Sequence, residues 1–546
     1  MRRVDPSLFS SMLPIIILFR AQWAVSLSVF RLRNSQRRPV TSTRAKLSGI
    51  VVAAFCLIAT EESAWAFVSV RCDLAPTTAL GTALVSNNTP GTVFAITGMC
   101  QQSVQLTLTV VSSSAIPSGI IALTNELGDP TGGFIPGDGI EGQLTIVGAG
   151  TALIDGILLS GTGTDTGLTS NVLVELGASA IFTNDHIEDG QRVGLIVMGN
   201  SSAVVTSTFI QNNGIANIAG QNDGLRVVDG STALLGGVNN DGSINSNAAA
   251  VVAGNACNGI VVVAGSRLVM AGGRIGASGS GIGVTPNTGD QLFLAGGSVA
   301  GLYDVQVSQA SFTPSPSGFA IEDQGSSALL LADGTTVNPG SVSCGIAVRG
   351  GSSLTTNGST VFATGSSPLI TAIQASGDSS VILAGGNSIG SSFGSTAFLI
   401  DHSSSLIQTR PGGSLATIAG VPIVASTAAE SIQGAGSIQV QSSMELGLGN
   451  ISLAPSITWT GSIVVAQNSS LRLSGGVSIS GSVKLSRASN GFFNVANGGT
   501  NSVTGNVTCP WTTVPAAHVS GPAAVMPSLT LATSFASASP GQCLPF

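Results

Sequence analysis

Asp185, His186, Glu188, Asp189 and Arg192 bring five reactive side chains into one short stretch, and Asp223 follows about one repeat later. Carboxylates this close could hold a hard cation through oxygen ligands, which makes Asp185, Glu188 and Asp189 the candidate metal set. A guanidinium beside them could bind an anionic group. Asp189, Arg192 and Asp223 are therefore the candidate catalytic residues. The competing reading is an exposed turn, solvated and paired within itself, and the residues favour it. His402 lies in Ile400-Asp401-His402-Ser403. Neighbours on a strand point to opposite faces, so that run cannot form a relay, and His402 reads as a turn residue. His518 carries no motif. The glycines of Gly148-Ala149-Gly150 lack the lysine and the strand-to-helix context of a phosphate loop. No Cys or Cys/His grouping has metal-ligand spacing.

The elements that must position these groups come from one recurring phrase. Its clearest copies begin at Gly194, Gly224 and Gly259, with others at Gly318, Gly345 and Ala372. Each is a short β-branched strand, a tight turn of Gly, Ser, Asn or Asp, and a second short strand. Such units bury a core only by stacking, so the chain reads as a β-solenoid. The copies align on Ala178, Ser201, Ser231, Ser266, Asp290, Ser326, Ser352, Ser379, Ser404, Ser442 and Ser469, at irregular spacings of 23 to 38 residues. That irregularity fits coils of three strands joined by loops of varying length. At roughly 4.8 Å per coil, about sixteen coils would make a rod of roughly 75 Å. Ile196, Val227, Val261, Ile321, Ala347 and Ile373 are expected to point inward as aliphatic ladders. Asn213-Gly214, Asp223-Gly224, Asp241-Gly242 and Asn258-Gly259 read as corners, where Gly and Asn tolerate left-handed backbone. Stacked Asn side chains there can hydrogen-bond along the axis.

Composition agrees. Seventy-two Gly with few charged residues (8%) disfavour helix. The formal charge is −7, but residues 1–66 hold nine of the nineteen Lys and Arg and three of the twenty-six acids. The remainder is strongly acidic, which argues against nucleic acid or an anionic membrane surface as partner. Aromatic residues are 4%, with one Tyr (Tyr303), fewer than a long sugar-stacking groove exposes.

Residues 1–66 read as a leader. A basic stretch, Arg31 to Lys46, precedes the apolar run Leu47–Thr60 and then Ala64-Trp65-Ala66, the order of an export signal with cleavage after Ala66. Membrane contact is expected only through this leader, if it stays uncleaved. The expected locations are secreted, periplasmic or cell-surface. Proximity pairs Cys72 with Cys100 and Cys509 with Cys543, leaving Cys257 and Cys344 as buried rung residues in coils too far apart to join. Residues 67–100 are expected to cap the solenoid, with a short helix over Thr77–Val85. Residues 101–508 form its coils, and residues 509–546 form a tail rich in Pro, Ala and Ser.

The opening of the solenoid carries a resemblance. A small helix, the Pro90-Gly91 turn, Thr92–Gly98 (TVFAITG), Cys100–Val104 (CQQSV) and Leu144–Gly156 (LTIVGAGTALIDG) occur in the order found in the pectin-lyase-like superfamily. The resemblance covers about residues 75–510 and implies an all-β, single-stranded right-handed parallel β-helix. That superfamily includes lyases, hydrolases, esterases and non-catalytic surface proteins, so fold does not fix activity. In its sugar-acid lyases carboxylates hold Ca²⁺ and an Arg or Lys is the base, and its hydrolases use paired Asp. The Asn-Thr-Asp, Gly-His-Gly and Arg-Ile-Lys runs of polygalacturonases are absent. The expectation is a secreted, non-catalytic β-helix without cofactor, in a structural, adhesive or surface-interaction role. Its partners would be polysaccharide or cell-surface components. The alternative is a lyase or hydrolase of acidic polysaccharide, with Ca²⁺ if it is a lyase.

Overall fold

The computed structural model describes residues 66–384, apart from 102–104, 112–116, 123–133, 162–169, 216–221, 277–286, 309–318, 362–370 and positions 88, 136, 240, 341 and 343; from 385 to 522 it describes the strands alone. The leader, Cys509, Cys543 and His402 lie outside the described residues. By internal contacts the chain divides into two units, residues 1–65 with Val238–Asn245, and Ala66–Gly237 with Ser246–Phe546. In the first, Val238–Asn245 is a small excursion closed by a bridge between Val238 and Ile244. Asp241 Oδ1 accepts from the Ser243 N–H (2.9 Å) and hydroxyl (2.6 Å) within it. The second unit carries the fold.

Each coil of that unit contributes one strand to each of three sheets. In the first full coil these strands are Thr92–Thr97 (sheet A), Met99–Gln101 (sheet B) and Leu106–Thr109 (sheet C). Among the described residues each sheet has sixteen strands in strict chain order. Pairing is parallel throughout sheet A and antiparallel only in the last pair of sheets B and C, Thr500–Asn501 with Gly521–Pro522 and Val507–Thr508 with Thr513–Val514. This is the right-handed parallel β-helix expected from the repeating phrase.

Aliphatic ladders hold it together. On sheet C, Val172, Leu195, Leu225, Ile260, Leu292 and Ile321 stack inward, all buried. On sheet A, Ala152, Ala180, Ala203 and Ala233 form one inward row beside the larger Ile154, Phe182, Val205 and Leu235. Each fully buried side chain of this kind contributes ~1.5–3 kcal/mol. The sequence placed half of its predicted ladder correctly. Val227, Ile321 and Ile373 point inward, but Ile196, Val261 and Ala347 share an outward row with Arg226 and Glu322. In Leu195-Ile196-Val197 three aliphatics follow one another, so alternation does not mark the phase, and a one-residue slip reverses the face.

From Val174 to Ser379 the corner from sheet C to sheet A keeps one form. The inward residue and the corner seat stand at one offset in these coils, as in Val174 to Ala178, Val197 to Ser201, Leu294 to Ser298 and Val348 to Ser352. Two left-handed residues make each turn, such as Gly199 (φ 66°) with Asn200 (φ 60°) and Asp229 (φ 55°) with Gly230 (φ 72°). The buried seat serines then form a hydroxyl ladder. Ser201 N–H donates to Ser231 Oγ (3.1 Å), Ser266 to Ser298 (3.2 Å), Ser298 to Ser327 (3.1 Å) and Ser327 to Ser352 (3.1 Å). Two positions of the sequence alignment are corrected by this ladder. The seats are Ser298 and Ser327, not Asp290 and Ser326; Asp290 precedes its sheet C strand instead of following it.

The corner from sheet B to sheet C varies instead, running from Ile187 to Leu195 in one coil and from Ile275 to Leu292 in another. Four coils hold it with an internal asparagine ladder. Asn171 Nδ2 donates to Asn213 Oδ1 (3.2 Å), Asn213 to Asn255 (3.0 Å) and Asn255 to Asn287 (2.8 Å), and Asn287 ends on Gln291 Oε1 (2.7 Å). Gly224 leaves room for it, since a Cβ there would lie 2.5 Å from Asn255 Nδ2.

At the N-terminal end the strand Ala66–Arg71 pairs with Thr92–Thr97. The helix, over Ala79–Asn87, buries Leu80 and Leu84. Cys72 and Cys100 are joined. Residues 67–100, expected as a cap, thus also include sheet strands. Cys257 and Cys344 are free thiols, but Cys257 is only partly buried, not the buried rung residue expected. Among the described residues no helix is long and apolar enough to cross a membrane.

Candidate functional site

The predicted charged knot is pulled apart by the coil. Asp185 is wholly buried at the corner between sheets A and B. Its Oδ1 accepts from the Ile157 N–H and its Oδ2 from the Thr183 N–H, both at 3.0 Å. Burial pushes its carboxyl well up. It is a backbone brace with no face to solvent. Asp223, also buried, opens the sheet C strand of a later coil; it pairs with Arg226 Nε (3.0 Å) and Nη2, and its Oδ1 accepts from the Asn258 N–H (3.2 Å).

Glu188 stays on the outer face of sheet B. It accepts from Gln211 Nε2 (2.6 Å) and sits 3.7 Å from His186 Nδ1. These two hold its carboxyl below the usual range, His186 foremost. His186 lies between two rings, stacked on Phe134 (centroids 3.8 Å) and tilted against Phe209 (4.9 Å). Asp189 follows in a left-handed turn (φ 55°), its carboxyl raised by burial and by the Glu188 charge. Arg192 is half-buried in the same corner. So Glu188 and Asp189 stay neighbours, while Asp185 and Asp223 serve other corners. Among the described residues no three His, Cys, Asp or Glu side chains gather closely enough to hold a metal ion.

A second group, which the sequence did not single out, assembles on sheet C where the asparagine ladder ends. Asn287 and Gln291 clamp each other, Gln291 Nε2 donating to the Asn287 carbonyl (3.2 Å), and Asp290 lies between them. Asp290 Oδ1 accepts from the Phe319 N–H of the next coil at 2.8 Å. Glu322 lies in the strand Phe319–Gln324, three residues past Phe319. One coil further on, Arg349 Nη1 donates to Glu322 Oε1 (3.1 Å), and its guanidinium lies 4.4 Å from the centre of the Phe319 ring. Two carboxyls, a guanidinium and an aromatic ring thus come together from three consecutive coils.

The two carboxyls differ in character. Burial pushes Asp290 up to about 7; the Phe319 N–H pulls the other way, and the Glu322 charge adds to the rise. Glu322 has the arginine beside it. Asp290 therefore holds its proton far more tightly than an exposed carboxyl does, while Glu322 faces a guanidinium, an unequal setting of the kind that acid–base chemistry uses. The signal in the sequence was a charged residue at an outward position of each strand, Glu322 in Phe-Ala-Ile-Glu-Asp-Gln and Arg349 closing Cys-Gly-Ile-Ala-Val-Arg. The repeat hides it, because Asp290 falls at the spacing of a corner seat.

No family model and no curated protein matches the chain. Among solved structures it is similar to an alginate lyase from Paenibacillus sp. str. FPU-7, at 16% identity and a TM-score of 0.34, over 62% of this chain and 98% of that one. The likeness concerns the fold, and no residue role is taken from it.

Proposed function

We propose that this chain is an exported β-helix protein that cleaves an acidic polysaccharide on the outer face of sheet C. The observation that carries this reading is the convergence of Asp290, Glu322, Arg349 and Phe319 across three coils. Asp290 would act as general acid, giving its proton to the glycosidic oxygen as its bond to the sugar carbon breaks, and Glu322 as the base that takes a proton from the water attacking that carbon. Arg349 supplies a positive charge for a uronate, and Phe319 an apolar face for a sugar ring. Export is supported by the Cys72–Cys100 disulfide, which persists in oxidising compartments. The test is turnover of pectin, alginate and related uronans by the purified protein and by Asp290→Asn. Reducing ends without an ultraviolet-absorbing double bond would mark hydrolysis, and such a double bond would mark elimination. No turnover of any uronan would remove the reading.

A second reading is a non-catalytic structural, adhesive or surface-interaction protein binding polysaccharide or other cell-surface components. It is favoured by Asp185 and Asp223, whose carboxylates are held by backbone N–H groups and Arg226. Retention of the protein on a uronan column without turnover would select it.

A further inference from the structure

One carboxyl among the described residues faces into the coil along the central inward row of sheet C. That row runs Val227, Val262, Leu294, Asp323, Val348, Ala375. Asp323 has no solvent exposure, neither of its oxygens makes a well-formed hydrogen bond, and the polar group beside it is the Ser352 hydroxyl. It sits in the strand that carries Glu322, one residue on and facing the opposite way. Inward-facing residues of the surrounding strands are apolar, among them Leu302, Leu329, Leu331 and Val337. The corner adds Ser327 and Ser352, uncharged. On the neighbouring strand Cys344 is buried with its thiol pushed up to about 12, so it stays neutral. Glu322, Asp290 and Arg349 belong to the outer group described above.

We propose that Asp323 is a proton-operated positioning residue, which seats the strand Phe319–Gln324 when it carries its proton and loosens it when it does not. As regulation of the outer group the inference rests on the polysaccharide reading; as a property of the strand it does not. An ionised carboxylate facing a dry aliphatic row has only the Ser352 hydroxyl in place of its hydration shell, far less than water gave it. The strand can restore that hydration only by moving outward, and Glu322 moves with it. Burial pushes Asp323 up to about 7, the Ser352 hydroxyl offsetting it only in part, so the change falls around neutral pH. The sign follows from linkage. The folded state holds this proton more tightly than the unfolded chain does, so stability from this residue declines as pH rises from the ordinary carboxylate range to about 7.

The experiment is amide hydrogen exchange of the full chain, corrected for intrinsic rates, at about pH 5.5 and about pH 8.5. It follows the strand Phe319–Gln324 against the reference strand Ser202–Thr206 in wild type, Asp323→Asn and Asp323→Leu. The expected result is a loss of protection on the order of tenfold in Phe319–Gln324 at the higher pH in wild type. The reference strand should not change, and neither variant should show the pH effect. Leucine copies the Leu294 position of the row, so it should pack. Equal wild-type protection at both pH values, or a pH effect that survives in a folded variant, would overturn the proposal. If neither variant folds, Asp290→Asn decides, because it removes the other carboxyl that titrates against this strand: the pH effect should persist in it, and its loss there would overturn the proposal. No substrate enters the measurement, so it can fail or succeed independently of the polysaccharide assay.

Discussion

Arg349 reaches back one whole coil, across 27 residues of chain, to place Nη1 3.1 Å from Glu322 Oε1. Arg349→Gln removes the charge but keeps much of the stem. The pair is partly exposed, with side-chain exposures of 35% and 14%, so the stability cost should be about 1 kcal/mol or less. Turnover of a uronan should fall more, about tenfold to a hundredfold, and mostly through KM, as expected for a group that holds the substrate carboxylate. Thermal melting and steady-state kinetics on one preparation would separate the two effects.

Asp290→Asn should leave the fold intact, because the amide oxygen can still accept from the Phe319 N–H. Activity should drop by about 10²–10⁴, the usual contribution of a positioned acid. In wild type the acid form is the active one, so activity should decline as pH rises through about 7. That alkaline limb should be missing from any residual activity of the variant. A pH–rate profile of both proteins checks this.

Asn213→Ala breaks the asparagine ladder at a side chain with four hydrogen-bond partners. Asn213 accepts from the Gly190 N–H (3.0 Å), donates to the Ile187 carbonyl (3.2 Å), and links Asn171 to Asn255. Several buried polar groups lose their partners, so destabilisation of about 2–4 kcal/mol is expected. Denaturant unfolding would measure it, and exchange should rise first in the coils around residue 213.

Replacing Cys72 and Cys100 by alanine opens a loop of 28 residues at the end of the stack. Loop-closure entropy sets the cost at about 3–4 kcal/mol. The same loss should follow mild reduction of the wild-type protein. Unfolding curves with and without reductant test it, and an insensitive midpoint would count against the disulfide.

The fold could be read from the sequence because each coil repeats its own physics. Strand, left-handed turn and seat serine recur around Ser201, Ser231 and Ser266 with enough regularity to imply stacking. The phase was harder to read. Ile196 and Val261 are as aliphatic as the core residues beside them, since the outer face of sheet C is itself largely apolar. The outer group was harder still. Asp290, Phe319, Glu322 and Arg349 become neighbours only after the irregular connections between sheets B and C are counted out, and each has an unremarkable local sequence. Asp185 erred the other way. Beside His186 and Glu188 it looks reactive in sequence, but its carboxylate turns inward to bind two backbone N–H groups.

Between Val174 and Ser379 the uniform edge between sheets C and A has an evolutionary meaning. Recombination between any two of those turns would delete or duplicate a coil while leaving the joint matched to the next. Descendants of this chain can therefore change in length by whole units, while novelty in shape collects along the opposite edge, where no such common joint restrains it.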